Sequence, residues 1–544
     1  MKPTILLLLG LLNAADVRAE PPVAISADRI KNDVRELSSD AFLGRGPGEA
    51  GEAKATAYLS ESLKNAGLQP AGDNGSWLQD VPLVRLDRQP GATLSLSIAG
   101  TAVPLQLGHN ATLALVNPGH TALENAPLIF AGFGIVDPAK GWDAFEGVDM
   151  AGKIAVVLTN DPDFEAGKDL GFEGKRLVYS GRVGAKFAAA AKAGAAGVLV
   201  IHEDAGASYP FSQLASGDAL PAMVLQPQRP SSLKFTSWLT LDVANRLLKS
   251  AKLDLAALKV RARDPKFRAF VIEGASVSAQ GDLKATPFVS HNVLAMLPGT
   301  TRPKEYVVYG AHFDANGQNG PDASGDAIRN GAVDNATGTA EVLEIARAFK
   351  AAPRPARTVI FALWTAEEKG LLGSEFYAAH PLYPLAQTAA MINLDPHVVL
   401  PAARNIELIG GGRTNLEEDL ARVAKTQHLS VTDEPSPEAG WYFRSDQFSF
   451  ARRGVPALTF RAGRDLIDGG TAAGQRIVSA YNTRCYHQPC DEFDLGWTFA
   501  GTVQEATVAY WVGRGVADSE RWPTWNRGSE FEALRQKTDD VRAK

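Results

Sequence analysis

The stretch Tyr306-Val307-Val308-Tyr309-Gly310-Ala311-His312-Phe313-Asp314 decides the reading of the fold. Its first four residues are a short, continuously apolar run, as expected of a strand buried on both faces. Glycine, histidine and aspartate follow at once, so the chain leaves the strand carrying polar chemistry. The pattern then recurs. Thr358 to Leu363 runs into Trp364-Thr365-Ala366-Glu367-Glu368, Ala390 to Leu394 ends on Asp395, and Pro456 to Phe460 is a fourth apolar run. Between the first two lies Thr339 to Lys350, with Val342, Ile345, Ala346 and Phe349 at helical spacing on one face. Buried strands alternating with amphipathic helices predict an α/β fold with a mixed, largely parallel central sheet flanked by helices.

In an open α/β sheet, ligands bind beyond the carboxyl ends of the strands. That rule gathers His312, the pair Glu367-Glu368 and Asp395 at one edge. Asp334, in Val333-Asp334-Asn335-Ala336-Thr337-Gly338, stands just before the helix. Singly, each has a bland role. Asp334 suits a helix N-cap, the two glutamates suit a first helical turn, His312 suits a hydrogen-bonded structural histidine, and Asp395 before Pro396 suits a turn. Together they place like charges on one rim, which repel unless a cation neutralises them. Imidazole with carboxylate suits zinc, with cobalt or manganese as alternatives. The chain has no H-E-x-x-H pair and no G-x-S-x-G elbow. Gly132-Phe133-Gly134 lacks the third glycine of a dinucleotide fingerprint. A hydrolytic two-metal centre, in which a carboxylate bridges two ions, is the leading chemistry.

Outward from this unit the character changes. Two amphipathic helices open the mature chain, one with Ile30, Val34 and Leu37 on a face, the other with Ala55, Leu59, Leu63 and Ala66, ended by Gly67. Leu94-Ser95-Leu96-Ser97-Ile98 alternates as a strand does. From about 120 to 280 short β-runs (Pro127 to Phe130, Ile154 to Leu158, Ala269 to Ile272) are separated by Gly, Asp and Pro, with a helix at Ala185 to Lys192 and a strand at Gly197 to Ile201. Few residues there carry chemistry, and both ends border strands of the surrounding unit, so an inserted accessory module is expected. The division is then 1–19 signal peptide, 20–119 and 281–518 main domain, 120–280 insert and 519–544 a surface tail.

The 544 residues suit two or three folding units. A net charge of −6 argues against a nucleic-acid partner, which needs a basic surface. Lys2, the apolar run Ile5 to Leu12 and Val17-Arg18-Ala19 before Glu20 read as a cleavable signal, predicting a secreted or periplasmic protein. No run reaches the ~18 apolar residues of a membrane span, so no stable membrane insertion is expected. Cys485 and Cys490 are the two cysteines. In an oxidising compartment they can close a small loop if their side chains converge. Buried thiols or soft metal ligands are the alternatives, but a lone pair lacks the other two ligands of a structural zinc site, which favours the disulfide.

The motifs, taken together, resemble the cocatalytic dizinc aminopeptidases of peptidase clan MH, related to glutamate carboxypeptidase and the transferrin receptor. The likeness covers roughly residues 290 to 500. It rests on His312 with Asp314, the D-N-x-x-G around Asp334, Glu367-Glu368, Ile392-Asn393-Leu394-Asp395, and Tyr486-His487. It implies a zinc-dependent aminopeptidase acting on peptides with two zinc ions. Asp334 would bridge them, His312 and Asp395 would complete one site, and Glu368 and His487 the other. Asp314 would orient His312 from behind, Glu367 would act as general base, and Tyr486 would donate a hydrogen bond to the oxyanion. The spacing around Tyr486-His487 is also similar to a family disulfide, and the insert resembles the family's protease-associated domain. Three departures stand out: Val333 where many relatives carry an acid, Gln447 in Arg444-Ser445-Asp446-Gln447-Phe448 where they carry a histidine, and Pro396 after Asp395. His397 is close enough in sequence to compete as a ligand but is expected to be a neighbour only. A carboxypeptidase-like relative is the alternative, for which Arg444, Arg461 and Arg464 would supply a basic pocket. A glutaminyl-cyclase-like acyltransferase fits less well because the five ligands are complete, and so does a non-catalytic receptor-like module.

Overall fold

A computed structural model describes residues 25–227, 230–395 and 398–542. The expected signal peptide and the residues Pro396 and His397 lie outside the described residues. The strand expected from Tyr306 is Arg302–His312, longer at both ends because the apolar run continues the ladder through Gly310 and Ala311. It lies parallel to Arg357–Trp364 on one side and to Thr388–Asn393 on the other. Thr388–Asn393 in turn lies parallel to Ala457–Ala462. Antiparallel strands close the ends: Phe270–Leu297 against Arg357–Trp364, and Asn405–Leu408 against Ala457–Ala462. The sheet is mixed with a parallel centre, as its unbroken apolar strands require.

Helices cover it. Ala27–Leu37 and Gly338–Ala351 share a core with Ala500–Asp518, through Ile30, Val34, Val342, Ile345, Val508 and Val512. The face predicted for Gly338–Ala351 is fully buried, with Val342, Ile345, Ala346 and Phe349 all at 0% exposure. Nothing weaker than an amphipathic stripe would hold such a helix, since propensity alone does not. Among the described residues no helix is long and apolar enough to cross a membrane.

The insert has a core of its own, in which Leu128, Phe130, Ile154, Leu199 and Phe235 meet. Its strands Ile154–Leu158, Gly197–His202 and Phe235–Thr240 are parallel neighbours. The packing differs from the expected division at 119/120. Residue 120 falls inside the strand Gly119–Phe130, and Leu94, Leu96 and Ile98 turn their apolar face to the insert's core. The reason is the 28-residue strand Phe270–Leu297, which pairs with Thr93–Ile98 and Gly119–Phe130 in its first half and with the main sheet in its second. The C-terminal segment is also not the surface tail expected from its charge. Trp525 is 5% exposed and its Nε1 donates to the Gly454 carbonyl at 2.8 Å, while Phe531 is 3% exposed. Its aromatic residues outweigh its charges in deciding where it packs.

Candidate metal centre

His312 is the last residue of its strand and lies opposite Trp364, so the strand end delivers it beside the turn that carries Glu367 and Glu368. One strand over, the Leu394 N–H donates to the Gly310 carbonyl at 2.8 Å, which carries the ladder on to Asp395. Asp334 sits in the turn Ala332–Thr337, with a cis peptide to Asn335. Helix capping falls to Asn335, not to Asp334: its Oδ1 accepts from the Gly338 N–H at 2.8 Å, and its Nδ2 donates to the Leu394 carbonyl at 3.1 Å. That frees the Asp334 carboxylate for the site and ties its turn to the Asp395 loop. His487 lies on a turn closed by the Cys485–Cys490 disulfide, whose Cα atoms are 5.1 Å apart, an ordinary span.

The five residues converge. Asp334 turns one oxygen to each histidine, with Oδ1 3.3 Å from His312 Nε2 and Oδ2 3.1 Å from His487 Nε2. His312 Nε2 also lies 3.6 Å from Asp395 Oδ1, and His487 Nε2 lies 3.1 Å from Glu368 Oε2. Two triads result, His312–Asp334–Asp395 and Asp334–Glu368–His487, the donor atoms of each lying within 4.8 Å of one another. Corners of a tetrahedron about 2.05 Å from a zinc ion stand about 3.3 Å apart, so the spacings fit. Glu367 is beside them, its Oε2 3.8 Å from His312 Nε2.

The electrostatics point the same way. Two carboxylates whose oxygens lie within 4.8 Å of each other repel by about 3 kcal/mol or more at an effective dielectric near 20. Burial, and then the charges of Asp446 and Asp395, hold the Glu367 carboxyl well above the usual range although His312 opposes them. Burial also raises Glu368, with Asp334 adding to it against the opposing charge of His487. Burial pulls His487 down, but Glu368 and Asp334 outweigh it and lift the imidazole to about 9. His312 is likewise lifted well above its ordinary value, against burial, by Glu367 and its other acidic neighbours. Asp334 is held below the carboxylate range, in spite of burial, by its hydrogen bonds to the two histidines.

The supporting groups were only partly legible. His312 Nδ1 donates to the backbone carbonyl of Asp314 at 3.1 Å, leaving Nε2 for the site, while the Asp314 carboxylate is 3.7 Å away. That carboxylate accepts from the backbone N–H of Glu367 at 3.1 Å and of Glu368 at 3.4 Å, so it sets the acidic pair. Asp491, which the sequence reading missed, accepts from the N–H groups of Val333 at 2.9 Å and Asp334 at 3.1 Å, and from the Tyr481 hydroxyl at 3.1 Å. Arg45 was missed as well. It is fully buried and donates to the carbonyls of Phe313, Leu37, Asn330 and Gly331, stapling the His312 and Asp334 loops together. The only signal was its place in Gly44-Arg45-Gly46-Pro47-Gly48. Gln447 explains one departure: its Oε1 accepts from Asn393 Nδ2 at 2.9 Å and its Nε2 donates to the Tyr442 carbonyl at 2.6 Å, bracing the strand before Asp395. Tyr486 stacks on His487 with ring centres 3.8 Å apart. Asp334, Glu367, Tyr486 and His487 open into a cleft of about 810 Å³, walled on its far side by the insert.

The parallel-centred sheet thus carries, at its carboxyl edge, two His–carboxylate triads that could each hold a metal ion. Comparison with known proteins finds that residues 292–511 match the model of peptidase family M28 and residues 111–229 that of the PA domain. A probable zinc metalloprotease of Pyrenophora teres f. teres is 43% identical over 103 residues, covering 19% of this chain and 22% of that protein. Aminopeptidase NAALADL1 of Mus musculus is 40% identical over 112 residues, covering 20% of this chain and 13% of that protein. The chain thus spans less than a quarter of the length of either relative. An aminopeptidase from Aneurinibacillus sp. strain AM-1 shares the fold, with TM-score 0.52 and 18% identity over 92% of this chain and 95% of that one.

Proposed function

We propose that this protein is a zinc-dependent aminopeptidase that removes N-terminal residues from peptides. The observation that carries the reading is the placement of Asp334, whose two oxygens face two histidines that each have a further carboxylate. His312, Asp334 and Asp395 would hold one zinc ion, and Asp334, Glu368 and His487 a second. Such a pair supplies Lewis-acid polarisation of the scissile carbonyl and a nucleophile at neutral pH.

The chain's own residues do the rest. Glu367, buried beside His312, takes the proton of the attacking water and passes it to the leaving amine. Burial raises its affinity for that proton, which suits a group that must accept and then release it. The Tyr486 hydroxyl, kept protonated by burial and by the nearby Asp334 and Glu368 charges, donates to the developing oxyanion. The acidic end of the cleft, with Glu367 and Asp395, suits the ammonium group of a peptide N-terminus. The names of the aminopeptidase relatives support this choice over a carboxypeptidase. We read the insert as a non-catalytic module that narrows the cleft, and the Cys485–Cys490 bridge as fitting an exported protein.

Hydrolysis of aminoacyl p-nitroanilides, compared with N-acetylated and C-terminal substrates, tests the reading. Activity that disappears on chelation, returns with zinc and is lost in Glu367→Gln is expected. Chelator-insensitive cleavage would refute it, as would an undiminished Glu367→Gln enzyme.

A further inference from the structure

Part of the cleft wall is a turn of the insert, Tyr179–Gly181, and its position is set from outside the cleft. Val178, just before the turn, has extended backbone and is buried in the insert's own core. Side chains alternate along extended chain, so its neighbours Leu177 and Tyr179 face the other way, toward the main unit, and both line the cleft. The Leu177 N–H donates to the Pro437 carbonyl at 3.2 Å. Its side chain lies against Gly440, where a Cβ would stand 2.5 Å from Leu177 Cδ2. The Tyr179 ring packs 5.4 Å from Phe448 and 6.3 Å from Phe443.

The Tyr179 N–H reaches the C-terminal segment, donating to Glu530 Oε2 at 3.2 Å. The other oxygen, Oε1, accepts from Arg413 Nη1 at 3.0 Å. The Arg413 guanidinium lies 4.8 Å from the centre of the Tyr442 ring and 5.0 Å from that of Phe443. One carboxylate therefore ties together the insert's turn, the Arg413 loop and the C-terminal segment. That segment is itself fixed to the main unit. The Asn526 N–H donates to the Arg413 carbonyl at 2.7 Å, and the Phe531 ring packs 6.3 Å from Phe448, the residue that Tyr179 also meets.

A hydrogen bond to an ionised acceptor is roughly twice as strong as one between neutral groups. Other bonds between the turn's neighbourhood and the main unit end on neutral carbonyls, as from Asn160 Nδ2 to Glu438 at 3.3 Å. Glu530 does not line the cleft, so it can act on a substrate only through the turn it holds. A cleft of about 810 Å³ falls in the size range of small-molecule sites. It encloses a short peptide, and a longer one has to displace part of the wall. We propose that Glu530 is a positioning residue that clamps the turn at 177–182 against the main unit, so that the C-terminal segment limits the length of peptide the cleft admits. This rests on the exopeptidase reading above and concerns the size of its substrate.

The test uses the zinc-loaded enzyme and substrates that share an N-terminal leucine but differ in length: Leu-p-nitroanilide, Leu-Gly-Gly, and Leu-Gly-Gly extended by a long flexible tail. The unaltered enzyme is expected to favour Leu-Gly-Gly over its extended form by at least about 10-fold in kcat/KM. In Glu530→Ala that preference should shrink by about 10-fold, the scale of one hydrogen bond to a charged group. The change should come through KM, with turnover of Leu-p-nitroanilide unaltered. Glu530→Gln keeps an acceptor for the Tyr179 N–H but loses the pairing with Arg413, and should fall between the two. Amide hydrogen exchange gives a readout that needs no turnover. The 177–182 segment should exchange about 10-fold faster in Glu530→Ala, while the central strands keep their protection. A length preference that is absent from the unaltered enzyme overturns the proposal, as does one that survives undiminished in folded Glu530→Ala. Cleavage of no substrate at all overturns the exopeptidase reading instead. Exchange then decides the clamp separately, and unchanged protection of the turn in Glu530→Ala would dismiss it.

Discussion

The two donor triads share Asp334 but are built from different materials. His312 and Asp395 stand at the ends of adjacent parallel strands, and the His312 side chain is 1% exposed. His487 belongs to a short disulfide-closed turn, and its side chain is 39% exposed. Strand ladders fix His312 and Asp395, the two donors that are the first triad's own, because moving either would break backbone hydrogen bonds. The second is held at few points: the Cys485–Cys490 bridge, and Asp491, which carries the Asp334 turn and the Tyr481 hydroxyl. A zinc ion on the sheet-borne triad should therefore be the more firmly held, and one on the turn-borne triad the more exchangeable.

The most severe break is at the shared residue. Asp334→Asn should lower kcat/KM by at least about 10³-fold, the scale on which loss of the catalytic machinery acts. It should also remove both zinc equivalents by elemental analysis, and a full equivalent left behind would show that the triads are independent. The asymmetry itself is tested by single-histidine variants under graded chelation. His487→Ala should lose one equivalent while the other resists the chelator. His312→Ala should leave an ion that is stripped at the lowest chelator concentrations, and the reverse order would contradict the structural comparison.

Smaller changes address what positions the donors. Asp491→Asn puts an amide donor against the Val333 and Asp334 N–H groups, and should weaken metal binding about 10- to 100-fold, as loss of an outer-shell partner does. A competition titration with a zinc-binding dye would measure it. The mildest is Cys485→Ser with Cys490→Ser. The short loop closed by that bridge is worth about 2 kcal/mol of chain entropy. Thermal melting should show a loss of that order or less, with zinc lost preferentially from the turn-borne triad. Equal loss from both sites would mean that the bridge supports the whole rim.

These contacts also show where sequence reading stops. His312, Glu367, Glu368 and Asp395 were legible because each follows an apolar strand, and a sheet delivers strand ends to one edge. Asp334 and His487 became candidates through their motifs, since neither ends a strand. Arg45 and Asp491 were not legible. Their partners are backbone groups of distant turns, and nothing in a backbone N–H or carbonyl marks the sequence. The C-terminal segment was misread because charge suggested solvent, while Trp525 and Phe531 had a groove to fill.

By itself, the sequence determined the alternation of buried strands and amphipathic helices, hence the sheet, and the donor types at its edge, hence the class of metal. Local patterns carry those facts, because side-chain periodicity and ligand chemistry are properties of short segments. Only the tertiary structure decided that Asp334 presents one oxygen to each histidine. It alone showed that the strand from 270 to 297 joins insert and main sheet, and that residues of the insert line the same cleft as Glu367 and Tyr486. Those facts join residues far apart in the chain, and no spacing along a sequence encodes a distance that folding alone creates.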